Sequence, residues 1–235
     1  MSKKALLVAL GEVYGRSGSQ YEKLAFPERN VLHFGNFLKG LGWEIELLLN
    51  ENASARNILE TIDQLSVQSG TKEMLIYLSG HTDKFGGADE VDGSDEYFIS
   101  YDNTLAGSLT DYLDDNRLTN AINQSLSFDN CSAFTCFFET CYSDGLIDYA
   151  QLMKKDQVGI FASSSENIQT FFSRGENGNS FYNRALRKAF EINPSQTYEE
   201  LGVRLSNLVA VLARGRRFFR PTISIGDQLL NHKLL

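Results

Sequence analysis

Apolar residues run unbroken through Ala5-Leu6-Leu7-Val8-Ala9-Leu10, stop at Gly11 and give way to a polar, Gly/Ser-rich stretch through Gln20. A short continuous apolar run that ends in turn-forming residues predicts a strand buried on both faces. From Phe26 to Leu41 the period changes. Val31, Phe34, Phe37/Leu38 and Leu41 recur at helical spacing, with Pro27 near the start and Gly42 at the end as punctuation. Trp43–Leu49 predicts a second strand, and a helix opens at Ser54, carries Ile58, Ile62 and Leu65 on one stripe and ends near Gly70. Glu73–Leu78 predicts the third strand. Strand, helix, strand, helix, strand is the order of βαβ units, so the expected class is α/β, with a mainly parallel central sheet flanked by helices on both faces.

Residues 82–117 break this pattern. The segment is acidic and Gly-rich, with Asp83, Asp89, Glu90, Asp92, Asp95, Glu96, Asp102, Asp111, Asp114 and Asp115, and it is too long for an idle connection. A functional loop is therefore expected. Beyond it the pattern predicts a short helix at Leu118–Ser125, strands at Cys131–Phe138 and Gly159–Ser163, helices at Ser180–Ile192 and Thr197–Ala213, and a last strand at Pro221–Ile225. No repeat or low-complexity linker divides the chain, so residues 1–235 are expected to form one domain.

Composition narrows the class. The 42% apolar and 22% charged fractions of the 235 residues are those of an ordinary globular protein. A net charge of −8 argues against nucleic acid as the main partner. No apolar run approaches the ~20 residues a membrane helix needs, so no membrane partner is expected. The first apolar run is short and lacks a small-residue cleavage site, which favours a strand over a signal peptide. Cys131, Cys136 and Cys141 are an odd, clustered set and not a disulfide framework, so a reducing, cytoplasmic location is expected.

Two predicted strands end in a reactive side chain. Met74–Leu78 runs into Ser79-Gly80-His81, and Ala133–Phe138 runs into Glu139-Thr140-Cys141-Tyr142-Ser143-Asp144-Gly145. The C-terminal ends of parallel strands line a common crevice, where His81 and Cys141 can meet. A thiol within reach of an imidazole is the minimal apparatus for covalent acyl transfer. A buried thiol acting as a small hydrophobe is the alternative. It suits Cys131 and Cys136, which lie within the strand, better than Cys141, which sits where the strand runs out. Of the other histidines, His33 falls in the first helix and His232 in the C-terminal tail.

Tyr77-Leu78-Ser79-Gly80-His81, the acidic run Asp92-Gly93-Ser94-Asp95-Glu96 and Glu139–Gly145 together resemble the caspase/metacaspase clan of cysteine peptidases, and the metacaspases in particular. The resemblance continues through Gly159-Ile160-Phe161-Ala162-Ser163-Ser164-Ser165 and so covers most of the chain. It implies a caspase-like fold, with a large-subunit-like portion over about 1–150 and a small-subunit-like portion over 156–235. It also implies an endopeptidase linked to proteolysis in programmed cell death. Cys141 would be the nucleophile, His81 the acid/base, and the backbone N–H groups of Cys141 and Thr82 the oxyanion donors. The family's S1 residues match Ser79 and Glu139, so protein or peptide substrates with a P1 Arg or Lys are implied. A further pocket aspartate is replaced by Asn30, with Glu28 close by. The calcium ligands of the family match Asp95, Asp114, Asp115 and Asp148; a solvated acidic surface is the other reading of these residues. Lys154-Lys155 is the implied self-cleavage site, or else a solvated basic pair. The chain begins almost at its first strand, so no prodomain is expected, and a monomer is. Three departures stand out: Thr82 where glycine is usual, Tyr142 where histidine is usual, and an inserted Asp144. The rival reading is a non-catalytic caspase-fold adaptor or regulator; a flavodoxin-like binding domain is a third.

Overall fold

A computed structural model of the chain describes residues 2–11, 24, 26–68, 70–86, 94–101, 112–128, 131–164, 180–213 and 221–234. In chain order these give β1 (Ser2–Ala9), α1 (Pro27–Gly40), β2 (Trp43–Leu49), α2 (Ala55–Val67), β3 (Thr71–Ser79), β4 (Thr82–Gly86), β5 (Ser94–Phe98), β6 (Leu113–Asp114), α3 (Asp115–Ser127), β7 (Ala133–Glu139), β8 (Val158–Ala162), α4 (Phe181–Ile192), α5 (Tyr198–Leu212) and β9 (Thr222–Ile225). The main sheet has the order β2-β1-β3-β7-β8-β9. All neighbours in it are parallel except β9, which closes the edge antiparallel to β8.

Side-chain alternation along the strands makes two cores. Leu6, Val8 and Leu10 of the β1 segment, Met74, Ile76 and Leu78 of β3, and Phe134, Cys136 and Phe138 of β7 pack under α2 and α3. The intervening Ala5, Leu7, Leu75, Tyr77 and Phe137 pack under α1, α4 and α5. On that second face Phe34 of α1 meets Tyr77 and Phe137 edge-on, with centroids 5.3 and 5.6 Å apart. Strands buried on both faces read as near-continuous apolar runs; Thr135 interrupts β7, and its hydroxyl pairs with that of Tyr198.

Helix starts follow local chemistry. Ser54, Asp114, Ser180 and Thr197 each accept a backbone N–H of the first turn, and Thr197 forms a full capping box with Glu200. α1 has no side-chain cap and opens instead on Pro27. β1 begins earlier than the apolar run, at Ser2. Lys3 and Lys4 join it because each has a carboxylate partner on a neighbouring strand, Glu73 at 3.1 Å and Glu44 at 2.6 Å. No helix among the described residues is long and apolar enough to cross a membrane.

The expectation of a loop over 82–117 is overturned in part. β4, β5 and β6 form a separate antiparallel sheet, and α3 begins at Asp115 rather than Leu118. The strands are short, and consecutive charged residues, Asp83-Lys84 and Asp95-Glu96, put charge on both faces, so no apolar alternation marks them. Tyr97 and Phe98 anchor this sheet in the α2/α3 core. Asp89, Glu90, Asp92, Asp102 and Asp111 lie outside the described residues.

Candidate active site

β3 and β7 are neighbours, and Ser79 and Glu139 are register partners at their ends. His81 and Cys141 each follow two residues later, so they leave adjacent strands side by side, on chains about 4.8 Å apart where the ladder ends. Backbone bonds tie this edge together: Gly80 N–H donates to Glu139 O at 3.3 Å, and Leu10 N–H to Ser79 O at 3.0 Å. Gly80 is the tight point, since a Cβ there would lie 3.1 Å from both the Leu10 carbonyl and the Phe98 ring. His81 is half-buried, and Cys141 is 6% exposed. All three cysteines are free. Burial pushes the Cys131 thiol up to about 11 and raises that of Cys136 as well, so neither is a nucleophile at neutral pH.

The peptide units on both sides of Cys141 are held by hydroxyl groups. The Thr140 carbonyl accepts from Ser163 Oγ at 2.9 Å and Ser164 Oγ at 3.3 Å, at the end of β8. The Cys141 carbonyl accepts from the Thr140 hydroxyl at 3.0 Å and from the Thr82 hydroxyl at the start of β4. Thr82 is thus brought against Cys141, the contact running through its side chain. Tyr142 then adopts φ 46°, ψ 31°, a left-handed conformation unusual for an aromatic residue.

Glu139 is the centre of a buried polar cluster on the α1/α4 face. Its carboxylate accepts from Asn30 Nδ2 at 3.0 and 2.9 Å, the Tyr77 hydroxyl at 2.6 Å, Ser79 Oγ at 3.1 Å and the Ser180 hydroxyl. Asn183 Nδ2 in turn donates to the Tyr77 oxygen at 2.9 Å. Burial pushes the Glu139 carboxyl up to about 7, even though these donors pull the other way. The same burial, with Glu139 beside them, raises Tyr77 and Tyr182 far above the usual phenol. Two acceptors in the cluster, Asn30 Oδ1 and Asn183 Oδ1, are buried without a donor.

Of the four S1 residues implied by the sequence, Ser79, Glu139 and Asn30 come together and Glu28 does not. Glu28 is exposed and accepts from Asn50 Nδ2 at 2.6 Å. Positions 28 and 30 lie about 200° apart around a helix, so only one can face the sheet. Tyr77, Ser180 and Asn183 were not singled out in the sequence. Tyr77 reads there as a core aromatic, and Ser180 only as a helix start.

The aspartates matched to calcium are engaged in local structure. Asp114 caps α3, accepting from Arg117 N–H at 2.7 Å, and Asp115 accepts from Asn116 N–H at 2.8 Å. Asp148 accepts from Ala150 and Gln151 N–H at 2.9 and 3.3 Å, while Asp95 is buried on β5. Among the described residues no three His, Cys, Asp or Glu side chains are grouped to hold a metal ion. Lys154 and Lys155 are both exposed in the β7–β8 connection, and Lys154 Nζ donates to Leu126 O at 2.6 Å.

The main sheet places His81 and Cys141 just beyond the ends of its two central strands. Among solved structures the chain is similar to protein GSU0716 from Geobacter sulfurreducens, with TM-score 0.73 and 14% identity over 100% of this chain and 98% of that one. It is also similar to caspase-1 from Spodoptera frugiperda, with TM-score 0.65 and 12% identity over 96% of this chain and 86% of that one. No protein-family model and no curated protein matches the sequence. The fold is therefore caspase-like.

Proposed function

We propose that the protein is a cysteine endopeptidase of the metacaspase type that cuts after Arg or Lys. The observation that carries the reading is the juxtaposition of His81 and Cys141 immediately beyond the Ser79–Glu139 register pair. The Cys141 thiolate attacks the scissile carbonyl, forming a C–S bond and a tetrahedral oxyanion. The backbone N–H groups of Cys141 and Thr82 receive that charge. Collapse breaks the C–N bond, and the leaving amine takes its proton from the His81 imidazolium. Water, deprotonated by neutral His81, then cleaves the thioester and restores the thiol.

Glu139 supplies the P1 preference. A guanidinium or ammonium reaching it brings a positive charge and several N–H donors, which the orphan carbonyl oxygens of Asn30 and Asn183 lack. Entry exchanges the Ser180 and Asn30 donors on the carboxylate for those of the substrate.

The test is hydrolysis of fluorogenic peptides ending in Arg, Lys or Asp, by wild type and Cys141→Ala, with calcium and with chelator. Cleavage after Arg or Lys that disappears in Cys141→Ala is the expected result. Cleavage only after Asp removes the Glu139 assignment but keeps the enzyme. Silence from the folded protein on all three peptides favours the non-catalytic caspase-fold adaptor.

A further inference from the structure

We propose that Thr82 and Ser163 are positioning residues that aim the oxyanion-binding N–H of Cys141 by fixing the two peptide planes around it. The proposal rests on the reading of Cys141 as nucleophile. In a trans peptide the carbonyl and the following N–H point in opposite directions. Holding the Thr140 oxygen therefore aims the Cys141 N–H, and Ser163 and Ser164 hold it from the end of β8. The Cys141 oxygen carries two donors of its own, Thr140 and Thr82, so the next plane is fixed as well.

A second set of contacts from the β4–β5 sheet backs the same loop. Lys84 and Glu96 are cross-strand register partners and form an ion pair in which Glu96 is almost fully buried. Lys84 Nζ also lies 5.2 Å from the centroid of the Tyr142 ring, the residue in the left-handed conformation. The Glu96 carboxylate fills the place where a Cβ on Gly145 would be, at 2.6 Å. Cys141, Tyr142 and Gly145 thus all meet the β4–β5 sheet, at Thr82, Lys84 and Glu96. A threonine in place of glycine adds the hydroxyl that reaches the Cys141 carbonyl.

The test has two arms. In steady-state hydrolysis, Thr82→Val and Ser163→Ala should lower kcat about 10- to 100-fold with KM unchanged, since a misaimed oxyanion donor is felt only in the transition state. Thr82→Ser keeps the hydroxyl and should recover wild-type kcat. The second arm needs no activity. With ¹⁵N-labelled cysteine the chain gives three amide resonances, and Cys141 is assigned by its loss in Cys141→Ala. In Thr82→Val and Ser163→Ala the Cys141 resonance should move while those of Cys131 and Cys136 stay, and Thr82→Ser should return it. A Cys141 resonance unmoved by either variant overturns the proposal, even where wild type cleaves no peptide. So does a Thr82→Ser protein that behaves like Thr82→Val in either arm. Loss of peptide hydrolysis in wild type alone counts against the protease reading and leaves the resonance arm decisive for the clamp.

Discussion

Glu139 is the residue at which burial and hydrogen bonding compete most sharply. Its carboxyl titrates near 7 in the folded chain against an ordinary 4.5, so between those values the folded state holds a proton that the unfolded state has released. Stability therefore falls as pH rises from about 4.5 to about 7 and levels off above, by on the order of 3 kcal/mol. The urea midpoint should be higher near pH 5 than near pH 8, and Glu139→Gln should remove most of that difference. An unchanged difference in Glu139→Gln would assign the slope to other groups. If Glu139 reads P1, the preference for an Arg over a neutral P1 peptide should also grow through the same pH range, because only the ionised form pairs with the guanidinium. Ser79 and Glu139 were legible in the sequence through their place before His81 and Cys141. Tyr77, Ser180 and Asn183 were not, because a hydroxyl or amide that closes a buried cluster across more than a hundred residues leaves no local periodic mark.

At the scale of elements, strands buried on both faces were readable because their middle positions are almost all apolar. β4, β5 and β6 were not, since five-residue and two-residue strands rich in charged residues look like a polar loop. Asp114, matched to calcium by the resemblance, also sits at a helix start. Its carboxylate spends itself on the first turn of α3, as an N-cap does. Asp114→Ala should cost about 1 kcal/mol and Asp114→Asn only a few tenths, by thermal or urea melting. Both values should be the same with calcium and with chelator. A calcium-dependent loss, equal in Asn and Ala variants, would make Asp114 a ligand after all. Asp115 and Asp148 have no such pattern in sequence that separates a turn acceptor from a ligand; only the amides facing their carboxylates do.

At the scale of the whole molecule, the two cores meet at one sheet, and the strands that lead to His81 and Cys141 lie at its centre. The exposed Lys154-Lys155 connection joins β7 to β8, which remain paired in parallel from Phe134–Val158 to Phe138–Ala162. The portion after it supplies α4 and α5, whose Tyr182, Leu186, Phe190, Tyr198 and Leu205 share a core with Phe34, Tyr77 and Phe137 from the portion before it. Ser180 and Ser163 reach back from the later portion to Glu139 and Thr140. A break between Lys154 and Lys155 therefore cuts a surface connection and no buried contact. A chain nicked there, by its own activity or through a site-specific protease sequence placed at that point, should elute from gel filtration as one species of unchanged size and part into two fragments only in denaturant. Retention of the Cys141 amide resonance in the nicked form would show that the Ser163 and Thr82 contacts survive the cut. Separation of the fragments in native buffer would mean that the connection itself holds the sheet together, and Lys154-Lys155 would then be no place for an activating cleavage. If the chain cuts itself there, the Lys154→Ala/Lys155→Ala chain should stay whole under conditions in which wild type yields two fragments; the same fragments from that variant would move the cut elsewhere.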